Sequence, residues 1–312
     1  MDFKITFSIP RAAFSISHKD QIVTTGSCFS DEIGKKFRHY GFHCQSNHLG
    51  TLFHPLAIAR SVIDALDLSE SIDGVEREDL FFSWQSAGTV FGYSYKELEE
   101  KIKGIRQAYR KNLLDASYLF ITFGTSWGYY LAESGEIVAN CHKLPARLFE
   151  KRLTPTEEMY VAWKQAIEKI VDDNPRIQIV FTVSPVRHIR DGLIENNQSK
   201  ARLFELIYRL KEEFPVEYFP SYEIIMDELR DYRFFKEDGI HPNETAVNYV
   251  WKQLENAVCT KETRLLNERI SSLRKQMSHI SIYEDSAATA RFSKKAREDL
   301  QRLLEEHPEI NW

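Results

Sequence analysis

Short runs rich in β-branched and aromatic residues alternate with longer segments of helical period along this chain, and that rhythm confines it to strands joined by crossover helices. Two of the runs, Tyr118 to Phe123 and Ile177 to Val183, are nearly all apolar or β-branched, the composition of strands buried on both faces. Gln21 to Thr25 predicts a further strand leading into Gly26, with Ser30 as N-cap of a helix from Asp31 to about Tyr40 that Gly41 ends. Phe42 to Ser46 reads as a strand, and Pro55 to Leu66 as a helix with proline in its first turn, where a missing N–H costs little. Leu80 to Trp84 and Thr89 to Tyr93 predict a hairpin around Gly88, and Tyr129 to Ala132 with Ile137 to Asn140 a second one. Helices are expected over Glu97 to Leu114, Thr156 to Val171, Ala201 to Phe214 and Glu244 to Val258, with Val216 to Phe219 a strand. The fold class is α/β.

From Lys261 onward the texture changes to interspersed charges, which predicts two helices, Glu262 to Gln276 and Ala287 to Glu306, separated by His279 to Asp285. The expected organisation is a main domain over 1–260 and a helical extension over 261–312. That extension reads as a solvated face packed along the main domain, with a partner-binding arm as the alternative. The chain carries 41 Lys+Arg against 46 Asp+Glu, a net charge of −5, which argues against a general nucleic-acid or anionic-membrane binder and leaves room for a local basic patch. Four cysteines, at positions 28, 44, 141 and 259, form no Cys-x-x-Cys pair, so neither a disulfide-dense scaffold nor a zinc ribbon fits. No metal and no cofactor is expected. The first ten residues, with Asp2 and Lys4, lack the pattern of a secretory signal, and no run of about 18 apolar residues occurs, so the expected location is the cytoplasm.

In open α/β sheets ligands collect at the carboxyl ends of strands, which directs attention to the loops there. Gly26-Ser27-Cys28-Phe29-Ser30 is a small-residue turn between a strand and a helix, where the positive end of the helix dipole stabilises a thiolate or oxyanion. It also reads as a plain glycine turn with a capping serine and a buried thiol. In Asp238-Gly239-Ile240-His241, the carboxylate can hold one imidazole nitrogen so that the other acts as a base. Arg187 and His188 follow a buried strand and Pro185 and are expected at the same rim as substrate-binding residues. Arg187 suits a carboxylate, phosphate or sugar hydroxyl, and equally an internal ion pair with Glu223, Asp227 or Asp231. His142 is a further candidate at the rim. As neighbours on a strand, Cys141 and His142 would point to opposite faces and not share a metal.

Together the early nucleophile turn and the late Asp-x-x-His resemble the first and last blocks of the SGNH, or GDSL-type, hydrolases. The run Thr25-Gly26-Ser27-Cys28-Phe29 resembles the defining motif of one branch, the GSCFA family. The likeness continues through Asn47-His48-Leu49-Gly50-Thr51, Gly124-Thr125-Ser126-Trp127, Ala139-Asn140-Cys141-His142-Lys143, Ser184-Pro185-Val186-Arg187-His188 and His241-Pro242. The resemblance implies a three-layer, flavodoxin-like fold with a mainly parallel sheet more firmly than it implies a reaction. Set on Gly-Asp-Ser, the turn puts Cys28 at the nucleophile position, with Ser27 the fallback if the register shifts by one. It also implies an oxyanion N–H from Gly50 and puts Ser126 where an asparagine is usual, with Asn140 a possible substitute for the missing amide.

Three functions follow. The first is a hydrolase or acyltransferase acting on a small-molecule or carbohydrate ester, with Cys28 attacking, His241 moving the proton and Asp238 orienting it. The second is a binding or scaffolding protein that keeps the fold while its oxyanion machinery has decayed. The third is a redox-sensing thiol at Cys28, for which no resolving cysteine is near in sequence, though Cys141 could be near in space.

Overall fold

The computed structural model describes residues 5–278 and 287–312; the predicted break from His279 to Asp285 lies outside them. Five strands form a parallel sheet: β1 (Gln21–Gly26), β2 (His43–Ser46), β6 (Tyr118–Phe123), β10 (Gln178–Val183) and β11 (Glu217–Tyr218). Their spatial order is β11-β10-β6-β1-β2, so the third parallel strand of the chain lies beside the first and the order reverses between β1 and β6. This is the flavodoxin-like arrangement, whose ligand crevice opens at that reversal.

Strand periodicity divides the core in two. Val23, Leu119, Ile121, Phe123, Ile179, Phe181 and Val183 face α2 (Pro55–Leu66), α3 (Tyr95–Asp115), α4 (Thr156–Asp173) and α5 (Leu193–Glu213). Ile22, Tyr118, Phe120 and Val180 face the opposite layer. That layer holds α1 (Cys28–His39), α6 (Ser221–Glu223) with the wide turn Ile224–Glu228, and α7 (Glu244–Val258). The three-layer α/β class is therefore present.

Three elements differ from expectation in ways that matter for the site. Helix α1 begins at Cys28 because Ser27 is the N-cap: its backbone is extended and its Oγ accepts from Phe29 N at 3.3 Å. Ser30, expected as the cap, lies inside the helix and donates its hydroxyl to Thr25 O at 2.9 Å. Helix α5 begins at Leu193, well before Ala201, because the inward residues of its first turns are polar, buried and paired, namely Asn196, Ser199 and Lys200; Asn196 Oδ1, for example, accepts from His188 N at 3.0 Å. Each predicted hairpin has a third strand. Around β4 (Leu80–Ser83) and β5 (Phe91–Gly92) it is β3 (Gly74–Arg77), and around β7 (Trp127–Leu131) and β8 (Ile137–Val138) it is β9 (Phe149–Leu153). Both added strands lie at edges and carry charged side chains, which masks their alternation.

Helices α8 (Lys261–Met277) and α9 (Ala287–Glu306) close a small cluster of Ile270, Leu273, Leu303 and Ile310. Asn267 Nδ2 donates to Glu255 Oε1 of α7 at 2.7 Å, and Asn311 N to Gly41 O at 2.9 Å, so this segment runs along α7 and the end of α1. No helix among the described residues is long and apolar enough to cross a membrane.

Candidate active site

The first site element is the turn that joins β1 to α1. Gly26 has φ +127°, a conformation L side chains rarely adopt, and a Cβ there would lie 2.1 Å from Thr122 O. The turn is clamped on both sides: Gly26 N donates to Asn47 Oδ1 at 2.8 Å and Ser27 N to Thr122 O at 3.0 Å. Ser27 is 1% exposed and its hydroxyl caps the helix, whereas Cys28, on the first turn of α1, is partly accessible. The thiol is not depressed as a helix N-terminus alone would suggest. Burial pushes it up and Asp31 adds to this, while its own backbone N–H and Lys200 pull it down.

The second element is the loop before α7. His241 Nδ1 and Asp238 Oδ2 are 2.7 Å apart, so the carboxylate accepts from the ring and leaves Nε2 as the free nitrogen. Asp238 Oδ1 also accepts from Ile240 N at 2.8 Å and His241 N at 3.0 Å. These backbone N–H bonds hold its carboxyl down at about 2 from an ordinary 3.8. The carboxylate thus supports this loop above pH 3.8, and the support is lost as pH falls through about 2. Hydrogen exchange at the Ile240 and His241 amides should accelerate over that window beyond the intrinsic pH effect. Neither the Cys28 sulfur nor the Ser27 hydroxyl hydrogen-bonds His241; in the absence of substrate such contacts are often open.

Arg187 and His188 lie beside the second of these elements. The Arg187 guanidinium covers the Phe235 ring at 4.9 Å and Tyr232 at 6.0 Å, on the loop that carries the Asp238–His241 pair. Its Nη1 is buried without a hydrogen-bond partner, and among the described residues no carboxylate is within ion-pair distance, so of the two readings of Arg187 the internal pair with Glu223, Asp227 or Asp231 is absent. Burial, with Lys200 adding to it, pushes the His188 imidazole down to about 4, so it is neutral at pH 7. His241 acts on the same ring, and Phe53 meets it edge-on at 5.7 Å.

Two of the residues assigned to the oxyanion, Gly50 and Ser126, have their donors engaged elsewhere. Gly50 N donates to Asn47 O at 2.8 Å within its own turn. Ser126 is fully buried, and its hydroxyl contacts Ser199 O at 3.1 Å on α5. Asn140 accepts from His142 N at 2.7 Å, and its amide faces Gly88. His142 is 3% exposed: its ring stacks on Phe82 and Nε2 donates to Ser83 O at 2.8 Å, so it is held against the sheet of β3, β4 and β5. It lies past the end of β8 in a turn, where the strand argument about Cys141 does not apply. All four cysteines are free, and burial alone pushes the Cys141 thiol up to about 11.

One residue at this edge escaped the sequence reading. Lys200, on α5, is 2% exposed and donates to Gly124 O at 2.6 Å and Ser184 O at 2.7 Å, at the ends of β6 and β10. Its signal was present. Lys200 stands three residues before Leu203 and seven before Ile207, on the buried stripe of α5, where a lysine is out of place.

Comparison with known proteins comes from two sides. A carbohydrate esterase family 3 structure from Talaromyces cellulolyticus is similar over 51% of this chain and 66% of that one, with 10% identity and a TM-score of 0.28, too low for any inference about activity. No curated protein matches in sequence. The GSCFA family profile, in contrast, matches residues 21–254. That span runs from β1 to α7 and includes the Cys28 turn, the buried Lys200 and the Asp238–His241 pair, and the chain belongs to the GSCFA family.

Proposed function

We propose that this protein cleaves or transfers an acyl group from an ester, through Cys28 as nucleophile and the Asp238–His241 pair as acid and base. The observation that carries this reading is the preformed pair, at 2.7 Å, in the loop leading into α7, the helix that packs beside α1. Cys28 Sγ attacks the ester carbonyl carbon as a thiolate, the C–O bond breaks and protonated His241 gives its proton to the departing alkoxide; water or an acceptor alcohol then attacks the thioester, His241 takes the proton of the attacking oxygen, and the C–S bond breaks to return the thiolate. Asp238 keeps the imidazole in the tautomer that frees Nε2. O-acyl groups of a carbohydrate are the substrate class favoured by the family's resemblance to SGNH hydrolases. On this reading residues 1–260 form the catalytic domain and 261–312 its helical extension, and a cytoplasmic, reducing setting keeps Cys28 a thiol. Asp238→Asn should lower kcat toward acetylated sugars about 10²–10⁴-fold with little change in KM. An unchanged kcat would remove the pair from the chemistry.

A second reading is a binding protein of the same fold. It is favoured by the engagement of Gly50 N–H with Asn47 O and of the Ser126 hydroxyl with Ser199, which leaves those two donors unavailable to an oxyanion. Saturable sugar binding, with acyl release no faster than in buffer across varied esters, would select this reading over the first.

A further inference from the structure

We infer that Lys200 is the buried counter-charge of the Cys28 sulfur, the group that decides at which pH the thiol becomes a thiolate. The inference rests on the nucleophile reading above, and it assigns Lys200 a positioning role, acting through Cys28.

The placement follows from sheet register. Gly26, Thr122 and Thr182 share one rung, so Cys28, Gly124 and Ser184 each stand two residues beyond it at the carboxyl edge. Adjacent strands are about 4.8 Å apart. Lys200 crosses over from the other helical layer, and its Nζ is fastened to the carbonyls of Gly124 and Ser184 at 2.6 and 2.7 Å. An ammonium has three N–H groups, and the third has no acceptor among the described residues. A buried ammonium is costly without an anion, yet among the described residues no carboxylate lies within ion-pair distance of it. The group whose charge favours the ammonium is Cys28.

The influence runs both ways. Burial pushes the Lys200 ammonium down to about 7, and the Cys28 thiolate raises it; burial and Asp31 push the thiol up, and Lys200 lowers it. Thiol plus amine and thiolate plus ammonium differ by the place of one proton, on Sγ or on Nζ, with no change in net charge, and each charge favours the other. Asp31 and Glu32 on α1 oppose the thiolate. Lys200 and His241 both act on the His188 imidazole, from the loop after β10, and hold it down. This arrangement leaves the Asp238–His241 pair free to serve the ester and water oxygens.

The test measures the rate of Cys28 alkylation by iodoacetamide from pH 5 to 10 in the full chain, with the modified residue identified by mass spectrometry. Lys200→Gln should move the inflection upward and slow alkylation at pH 7 about tenfold. Lys200→Arg, which keeps the charge, should stay within about threefold of wild type. A glutamine profile superimposable on wild type, or an arginine profile matching glutamine, overturns the inference. A reciprocal measurement guards against loss of fold in the lysine variants: the Lys200 Nζ titration, followed by NMR, should drop by about one pH unit in Cys28→Ala. An unchanged midpoint also overturns it. Neither readout uses an ester, so absence of ester turnover would refute the proposed activity and leave these results standing.

Discussion

Replacing Cys28 by alanine is expected to reduce acyl release from p-nitrophenyl acetate and from acetylated oligosaccharides by about 10⁴-fold or more, the scale seen when a covalent nucleophile is removed. The change deletes one sulfur from the first turn of α1, where Ser27 and not Cys28 provides the cap, so near-UV circular dichroism should match wild type. Unchanged turnover in a folded Cys28→Ala protein would end the assignment. Cys28→Ser separates two versions of the chemistry. A hydroxyl at this position needs a base in hydrogen-bond reach, and His241 is not bonded to this turn without substrate. Its intrinsic acidity is also far below that of a thiol, so a buried cation helps it less. Serine should therefore restore only a small part of the activity. Full rescue would mean that His241 takes the nucleophile's proton directly and that a thiolate is unnecessary.

Gly26→Ala should be the most damaging single methyl addition at this edge. The new Cβ would lie 2.1 Å from Thr122 O and 2.9 Å from Thr122 C, both backbone atoms of the central strand, and φ +127° would have to be kept by an L side chain. A rigid strand cannot yield as a flexible side chain can, so strain and overpacking combine to about 3 kcal/mol or more. Urea unfolding should show a lower midpoint with an unchanged slope. The same displacement would pull Gly26 N from Asn47 Oδ1 and Ser27 N from Thr122 O, the two bonds that aim Cys28. Any folded fraction should therefore alkylate Cys28 with altered kinetics. Wild-type stability in Gly26→Ala would show that the approach of β1 to β6 is looser than these distances require.

Legibility differed by element for physical reasons. β6 and β10 were plain because strands buried on both faces need apolar residues at every position, and α2 was plain because proline and an apolar stripe mark its start and face. The start of α1 was displaced because Ser27 and Ser30 are both competent caps, and only the clamp of Gly26 and Ser27 between Asn47 and Thr122 decides between them. The Asp238–His241 pair was readable because three residues of one turn bring both groups together without help from the rest of the chain. Ser126 and Gly50 stand at oxyanion positions only through the resemblance of their motifs to a family pattern. Their partners, Ser199 and Asn47 O, turn their donors away, and a distant partner such as Ser199 leaves no mark at position 126.

The sequence by itself therefore determined the strand and helix alternation, the family and the local Asp238–His241 contact, since each depends on residues close in the chain or on periodic burial. Tertiary structure alone decided which thiol or hydroxyl faces outward, which oxyanion donors are engaged elsewhere, and that a lysine from α5 lies buried at the ends of β6 and β10. Those outcomes depend on the register of β1, β6 and β10, which brings the ends of three strands far apart in sequence to one rung. Charge interactions fall off over a few ångströms in space, whatever the separation along the chain.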